Sequence, residues 1–293
     1  MSRPALEYDL ATKQDLVLLN IRRTFCYIVL GILALLALLP FLFLLSQTTR
    51  ANHQIIQGFS LLPSTYFDEN FVSVLNSTYI RIFRGMFNSF VVATTTTAIS
   101  VYFSAFTAYG IHVYDFKGNK QIYTTILMIM MVPTQVSALG FLDMVDNWGF
   151  INTFWPLIVP AIAAPTVMFF MKQYMEASLP LEIIEAARID GCNEFITFNT
   201  IVLPILKPAF AVQAIFAFVA NWNNFFLPNL ILEKPHMYTL PIMMMQLRNS
   251  DFSNQDQGQQ FMFIALSILP VIIVYLILSK FIIRGVTLGA VKG

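Results

Sequence analysis

Six stretches of this chain, roughly 24–45, 86–111, 121–142, 153–171, 209–232 and 261–279, contain no Asp, Glu, Lys or Arg. About 20 apolar residues cross the hydrocarbon core of a bilayer as a helix. A segment in lipid must satisfy its own backbone, and an α-helix does so internally. The expected fold is therefore an all-α membrane protein of six transmembrane helices. The fourth stretch is the shortest and holds Pro156, Pro160 and Pro165. Such prolines are tolerated where neighbouring helices or water satisfy the freed carbonyls. A charged fraction of 11% and a mean hydropathy of +0.68 exclude an ordinary soluble domain. A net charge of +1 leaves no basic footprint for nucleic acid.

Lys and Arg between the stretches set the orientation, because cytoplasmic loops carry the excess. With the N-terminus inside, Arg3, Lys13, Arg22, Arg23, Lys117, Lys120, Lys172, Arg188, Lys207, Lys280, Arg284 and Lys292 lie inside. Arg50, Arg81, Arg84, Lys234 and Arg248 lie outside. The imbalance places both termini in the cytoplasm. Residues 1–23 are then a cytoplasmic N-terminal segment, 24–283 the membrane domain, 172–208 a cytoplasmic loop within it, and 284–293 a cytoplasmic tail. The N-terminal segment has no apolar core and does not read as a cleaved signal. Cys26 and Cys192 lack metal-ligand spacing, and both fall on the reducing side.

One segment, 179–208, is amphipathic rather than apolar. It reads as two short helices joined by a turn. Pro180 suits a first helical position. Leu181, Ile184 and Ala187 share one face, with Glu182, Glu185 and Arg188 off it. Asp190-Gly191 stops the first helix, because glycine accepts the left-handed conformation at a helix end. Asn193 caps the second, which runs to a break at Pro204. Small Ala186 and Ala187 let another surface approach closely. Two readings stand: a helix that docks onto another protein, or an amphipathic helix lying on the membrane.

Glu185-Ala186-Ala187, then Gly191, then Ile201-Val202-Leu203-Pro204 resemble the EAA signature of ABC-importer permeases at each anchor. Asn88-Ser89, Asn152-Thr153, Trp222-Asn223, Tyr238-Thr239-Leu240-Pro241 and the terminal residues 284–293 resemble the smaller permease subunit of maltose-type carbohydrate importers. The resemblance spans the chain from about Arg22. It implies that 172–208 is a coupling loop between spans four and five. Glu185, Ala186, Ala187, Asp190, Gly191, Ile201, Leu203 and Pro204 would carry the contact with the ATPase. It implies a second homologous permease, an ABC ATPase dimer and an extracytoplasmic solute-binding protein as partners. Two long outer loops, 47–85 and 233–260, would meet the binding protein.

No G-x-x-x-x-G-K-[S/T] loop exists, so the chain should not hydrolyse ATP. ATP and Mg would be bound by the partner subunits, and no cofactor or metal is expected here. His53, His112 and His236 are scattered. Ion-driven carriers often place ionisable groups in mid-membrane, and the six stretches hold no Asp, Glu, Lys or Arg. A polar cluster, Asn221-Trp222-Asn223-Asn224, sits inside the fifth, with Gln135 in the third and Thr94 to Thr97 in the second. These groups either line a wet passage for sugar hydroxyls or hydrogen-bond between helices. Importers of a non-sugar solute, and a self-contained carrier or channel, are the alternative functions.

Overall fold

The computed structural model describes residues 3–77, 80–249 and 256–290, with side chains from residue 18 to 281. Among the described residues every regular element is helical. Contacts divide the chain into two compact units, residues 1–73 with 256–265 and residues 74–255 with 266–293.

The first unit is built on α1 (Arg3–Thr48), α2 (Asn52–Ile56), α3 (Phe67–Leu75) and the start of α15 (Gln257–Ala290). Residues 18–42 of α1 are strongly apolar and all exposed, as a helix immersed in lipid can be. Its C-terminal end is polar and buried instead. Asn70 Nδ2 donates to Thr48 O at 2.8 Å and to Arg50 O at 2.9 Å, and Gln47 Nε2 donates to Ser60 O at 2.7 Å. These amides satisfy carbonyls left open where the helix and the loop after it end. Gly258 is required there, since a Cβ would lie 2.5 Å from Asn70 Oδ1.

The second unit is organised along α4 (Ile82–Val113). Ser89, Ala93, Thr97, Ser100, Ser104 and Ala108 recur at helical spacing and are all buried. Small side chains on one stripe let membrane helices approach closely. Two further helices use that stripe: α8 (Pro165–Ser178) and α12 (Lys207–Trp222) pack along α4. Ser104 Oγ donates to Ala164 O at 3.1 Å, at the break before α8. The order along the chain is α5 (Asn119–Met130), α6 (Thr134–Asn147), α7 (Trp155–Ile158), a 3-10 turn (Val159–Ile162), then α8. After α8 come α9 (Leu181–Ile189), α10 (Glu194–Thr197), a π-helical turn (Phe198–Val202) and α11 (Leu203–Ile205). Beyond α12 lie α13 (Phe226–Ile231), a 3-10 turn (Pro235–Met237), α14 (Leu240–Asn249) and the rest of α15.

Four helical segments, 18–48, 82–113, 155–178 and 257–281, are long and apolar enough to cross a membrane. The third, fourth and fifth expected spans differ from single helices, the fourth, 153–171, being interrupted at Ala163–Ala164 between the 3-10 turn and α8. Residues 121–142 break at Met131–Pro133, and α5 and α6 meet there at a bend of 93°. Pro133 has an extended backbone and cannot donate to the preceding turn. The stretch 209–232 is interrupted at Asn223–Phe225, so α12 ends at Trp222 and α13 follows. At its other end α12 starts at Lys207-Pro208, bent by 82° from the helical run 194–205. Counting each bent pair as one span raises the number of candidate spans to six.

Opposite ends of α4 hold different segments. Near its start, Asn88 Nδ2 donates to His236 O (3.0 Å) and Tyr238 O (2.9 Å), and Ser89 Oγ accepts from Leu240 N (2.8 Å). Near its end, His112 Nε2 meets Leu179 O at 3.2 Å and Tyr109 meets Glu194. Ser89 and Tyr109 are about 30 Å apart at 1.5 Å per helical residue, the thickness of a hydrocarbon core.

Candidate functional site

The segment 179–208 folds as an elbow. Pro180 has φ −63° and ψ 138°, so it is the extended cap before α9 rather than its first helical residue. Glu182 stands in the first turn and Arg188 in the last, each favoured by the helix dipole. Gly191 has φ +78°, as the left-handed stop requires. Cys192 N donates to Ala187 O (3.0 Å) and Gly191 N to Arg188 O (3.1 Å). This is the Schellman pattern, which occupies carbonyls that the helix end leaves open. Asn193 Oδ1 then accepts from Ile196 N at 2.8 Å and caps α10, a contribution of about 1 kcal/mol.

The second arm does not stop at Pro204. It widens just before it, where Leu203 N reaches back five residues to Phe198 O. Proline lacks the donor that an α-helical turn would use at position 204, and the π turn absorbs the gap. The chain bends after Ile205, ahead of Pro208.

Two faces of the elbow separate. Ile184 and Ala187 are buried, together with Phe198, Val202 and Leu206, against Ala105, Ala108, Met171 and Met175 of the spans. Leu181, expected on that face, is 43% exposed. The Ala186-Ala187 pair is split: Ala187 packs inward, and Ala186 lies outward beside Glu185. Ile189, Phe195, Ile196 and Ile183 are exposed, Ile189 at 86%. Sequence reasoning did not single out these four exposed apolar residues. Their signal was available, because apolar residues off the core face of an amphipathic helix have no partner within the chain. Asp190 is exposed at the turn, Ile201 is half-buried, and Leu203 and Pro204 line a cleft of about 490 Å³ with Lys207 and Phe210.

Phe198 was also missed. It is fully buried, with ring centroids 5.0 Å from Phe106, 5.5 Å from Tyr109 and 5.8 Å from Tyr102. It plugs the elbow into α4. Beside it, Tyr109 Oη donates to Glu194 Oε2 at 2.6 Å, and Arg188 Nε donates to Glu194 Oε1 at 2.7 Å. Burial pushes the Glu194 carboxyl up, but the Tyr109 hydroxyl and the Arg188 guanidinium outweigh it and hold the group below its ordinary value.

The polar cluster of the fifth stretch is not in mid-helix. Asn221 Nδ2 donates to Ala217 O (2.7 Å) and Asn223 Nδ2 to Val219 O (3.0 Å), each four residues back on α12. The amides therefore satisfy the closing turns of their own helix. Trp222 is buried, stacks on Phe218 at 5.6 Å, and donates from Nε1 to Ser267 O on α15 at 3.2 Å. Asn223 is exposed and Asn224 half-buried. Gln135 is exposed on α6, just past the bend, and the structure does not bring it together with the α12 cluster by any hydrogen bond. Asn152 has φ +61°, and its Oδ1 accepts from Glu233 N (2.7 Å) and Lys234 N (2.8 Å). Of the motifs quoted from sequence, Asn88-Ser89 thus meets Tyr238-Thr239-Leu240, whereas Asn152 holds Glu233 and Lys234, which lie outside the quoted motifs. The terminal motif 284–293 lies outside the described side chains.

Residues 100–288 match the family described as binding-protein-dependent transport system inner membrane component, and the chain belongs to that family. It is 35% identical, over 89% of its length and 92% of the relative's, to the arabinooligosaccharides transport system permease protein AraQ of Bacillus subtilis (strain 168). It is 27% identical to the lactose transport system permease protein LacG of Rhizobium radiobacter, covering 91% of this chain and 95% of that one. The fold matches a solved bacterial ABC transporter involved in the import of the acidic polysaccharide alginate. That match has a TM-score of 0.74 and covers 96% of this chain and 98% of the other at 20% identity, so it is a likeness of fold.

Proposed function

We propose that this chain is the six-span permease subunit of an ABC importer and moves a sugar or oligosaccharide across the bacterial cytoplasmic membrane by alternating access. Carbohydrate as the substrate class is supported by the arabinooligosaccharide and lactose permeases it resembles. Both termini are cytoplasmic. The membrane domain spans 24–283, and the loop 172–208 couples spans four and five to the ATPase. The single observation that carries this reading is the elbow at one end of α4. Its inner face is packed into the spans, while Glu185, Ala186 and Ile189 are left bare on the other. The segment 233–249 meets the opposite end of α4, about 30 Å away, which supports placing it on the outer side.

In the proposed cycle an extracytoplasmic binding protein delivers sugar at the loops 47–85 and 233–260. Exposed Phe59 and Leu62 in the first of these supply apolar contact. A second homologous permease completes the passage. Two ATPase subunits bind ATP and Mg, close, and draw the elbows together. Glu185 meets a donor in the ATPase groove, Ala186 permits the approach, and Asp190-Gly191 fixes the angle between the arms. Ile201, Leu203 and Pro204 set the second arm, with Ala187 holding the first against the spans. Asn221 to Asn224 and Gln135 remain candidates for the passage. No step is assigned to this chain in ATP hydrolysis.

The test is purification of the tagged chain from cells expressing the neighbouring transport proteins. An ATPase should co-purify, and Glu185→Ala should weaken its hold roughly tenfold, as expected for losing a charge-assisted hydrogen bond. A lone oligomer that transports sugar without ATPase would instead support a self-contained carrier.

A further inference from the structure

The elbow is joined to α4 by packing and by three polar contacts: His112 Nε2 with Leu179 O at 3.2 Å, Tyr102 Oη donating to Asn199 Oδ1 at 3.2 Å, and Tyr109 Oη donating to Glu194 Oε2 at 2.6 Å, the shortest and the one made to a carboxylate. Packing of Ile184, Ala187 and Phe198 against α4 and α8 is apolar and therefore non-directional. The carboxylate of Glu194 is different. It accepts from Tyr109, 85 residues upstream on α4, and from Arg188, which stands on α9 between Ala187 and Ile189. The Arg188 guanidinium also lies 5.1 Å from the ring centroid of Tyr114, the residue that ends α4. The Arg188 and Glu194 side chains are 39% and 38% exposed, so the ion pair alone contributes little stability. Its geometry matters more. Hydrogen bonds to an ionised acceptor are short and oriented, and this one ties both arms of the elbow to the same turn of the span.

We propose that Tyr109, Glu194 and Arg188 form the positioning link that carries movement of the elbow into α4. The inference rests on reading α9 as the ATPase-docking helix. When α9 is displaced, Arg188 pulls on Glu194, and Glu194 pulls on Tyr109. Without this link the first arm, α9, keeps only apolar packing and the contact at Leu179, while Tyr102 still holds the second arm through Asn199. The link therefore sets how much of each ATPase stroke reaches the passage.

Tyr109→Phe tests this directly. It keeps the ring against Phe198 and removes only the hydroxyl. In the reconstituted complex with ATPase, second permease and binding protein, ATPase association, thermal stability and basal hydrolysis should match wild type. Sugar imported per ATP hydrolysed should fall about tenfold, the lower end of the scale for one lost hydrogen bond to a charge. Glu194→Gln keeps an acceptor oxygen without the charge and should fall less. An unchanged import ratio in Tyr109→Phe, with ATPase bound as in wild type, overturns the link and leaves the docking reading intact. A fall that appears only together with lost stability or assembly overturns it too, since packing alone then explains it. If the wild-type chain holds no ATPase, the docking reading falls, and the link falls with it.

Discussion

Gly191 shows how a single residue sets the elbow. Its φ of +78° is open to glycine and disfavoured for other side chains, yet a Cβ built there would meet nothing within 4 Å. The demand is conformational, not steric crowding from neighbours. A non-glycine residue in the left-handed region carries roughly 1–2 kcal/mol of strain, less for Asn, whose short polar side chain tolerates it. Gly191→Asn should therefore keep ATPase association within about twofold, while Gly191→Val should lower it about tenfold, since 1.4 kcal/mol is a factor of ten. Binding of purified ATPase to the permease pair measures both. Gly191 and the Asn193 cap were legible in the sequence because each acts within a turn of itself. The Tyr109 to Glu194 contact was not, because its partners lie 85 residues apart and no local pattern joins them. Ala187 was half legible. Its spacing with Ile184 placed it on the packed face, while its size suggested a contact surface, and burial decides for the packed face.

At the scale of elements, prolines and amides decided where helices end, and hydropathy alone could not see it. The stretches 121–142 and 209–232 contain no charge, so a reading by composition runs straight through Pro133 and through Asn221 to Asn224. The structure bends at the first and closes α12 at the second. The π turn at Phe198–Val202 was equally hidden, because only Pro204 hinted at a missing donor and nothing fixed where the helix would adjust. Phe198 is the residue that makes this turn matter, since it anchors the second arm in a ring of aromatic side chains from α4. Phe198→Ala should destabilise the purified permease by about 3–5 kcal/mol, the usual loss for truncating a buried Phe. Phe198→Leu should lose much less. Denaturation monitored in detergent separates them, and equal stability of the Ala variant and wild type would remove Phe198 as the anchor.

For the whole molecule, the account depends on α4 as a rod with a different partner at each end. The small-residue stripe that packs α8 and α12 onto it was present in the sequence at helical spacing. The pairing of Asn88-Ser89 with 236–240 was not, as about 150 residues separate them. Together these contacts put the elbow and the segment 233–249 one hydrocarbon thickness apart, and from that the proposed function follows: an elbow on the cytoplasmic side with one face left for the ATPase. Ile189, at 86% exposure, stands on that face next to Gly191 and is not part of the packed core. A photo-reactive amino acid placed at Ile189 in cells expressing the complete transporter tests the claim most directly. The account predicts a cross-linked product containing this chain and the ATPase subunit, absent when the same group replaces exposed Lys234 at the other end of the unit. A product with the ATPase from position 234 and none from position 189, or adducts with lipid alone at 189, would contradict it.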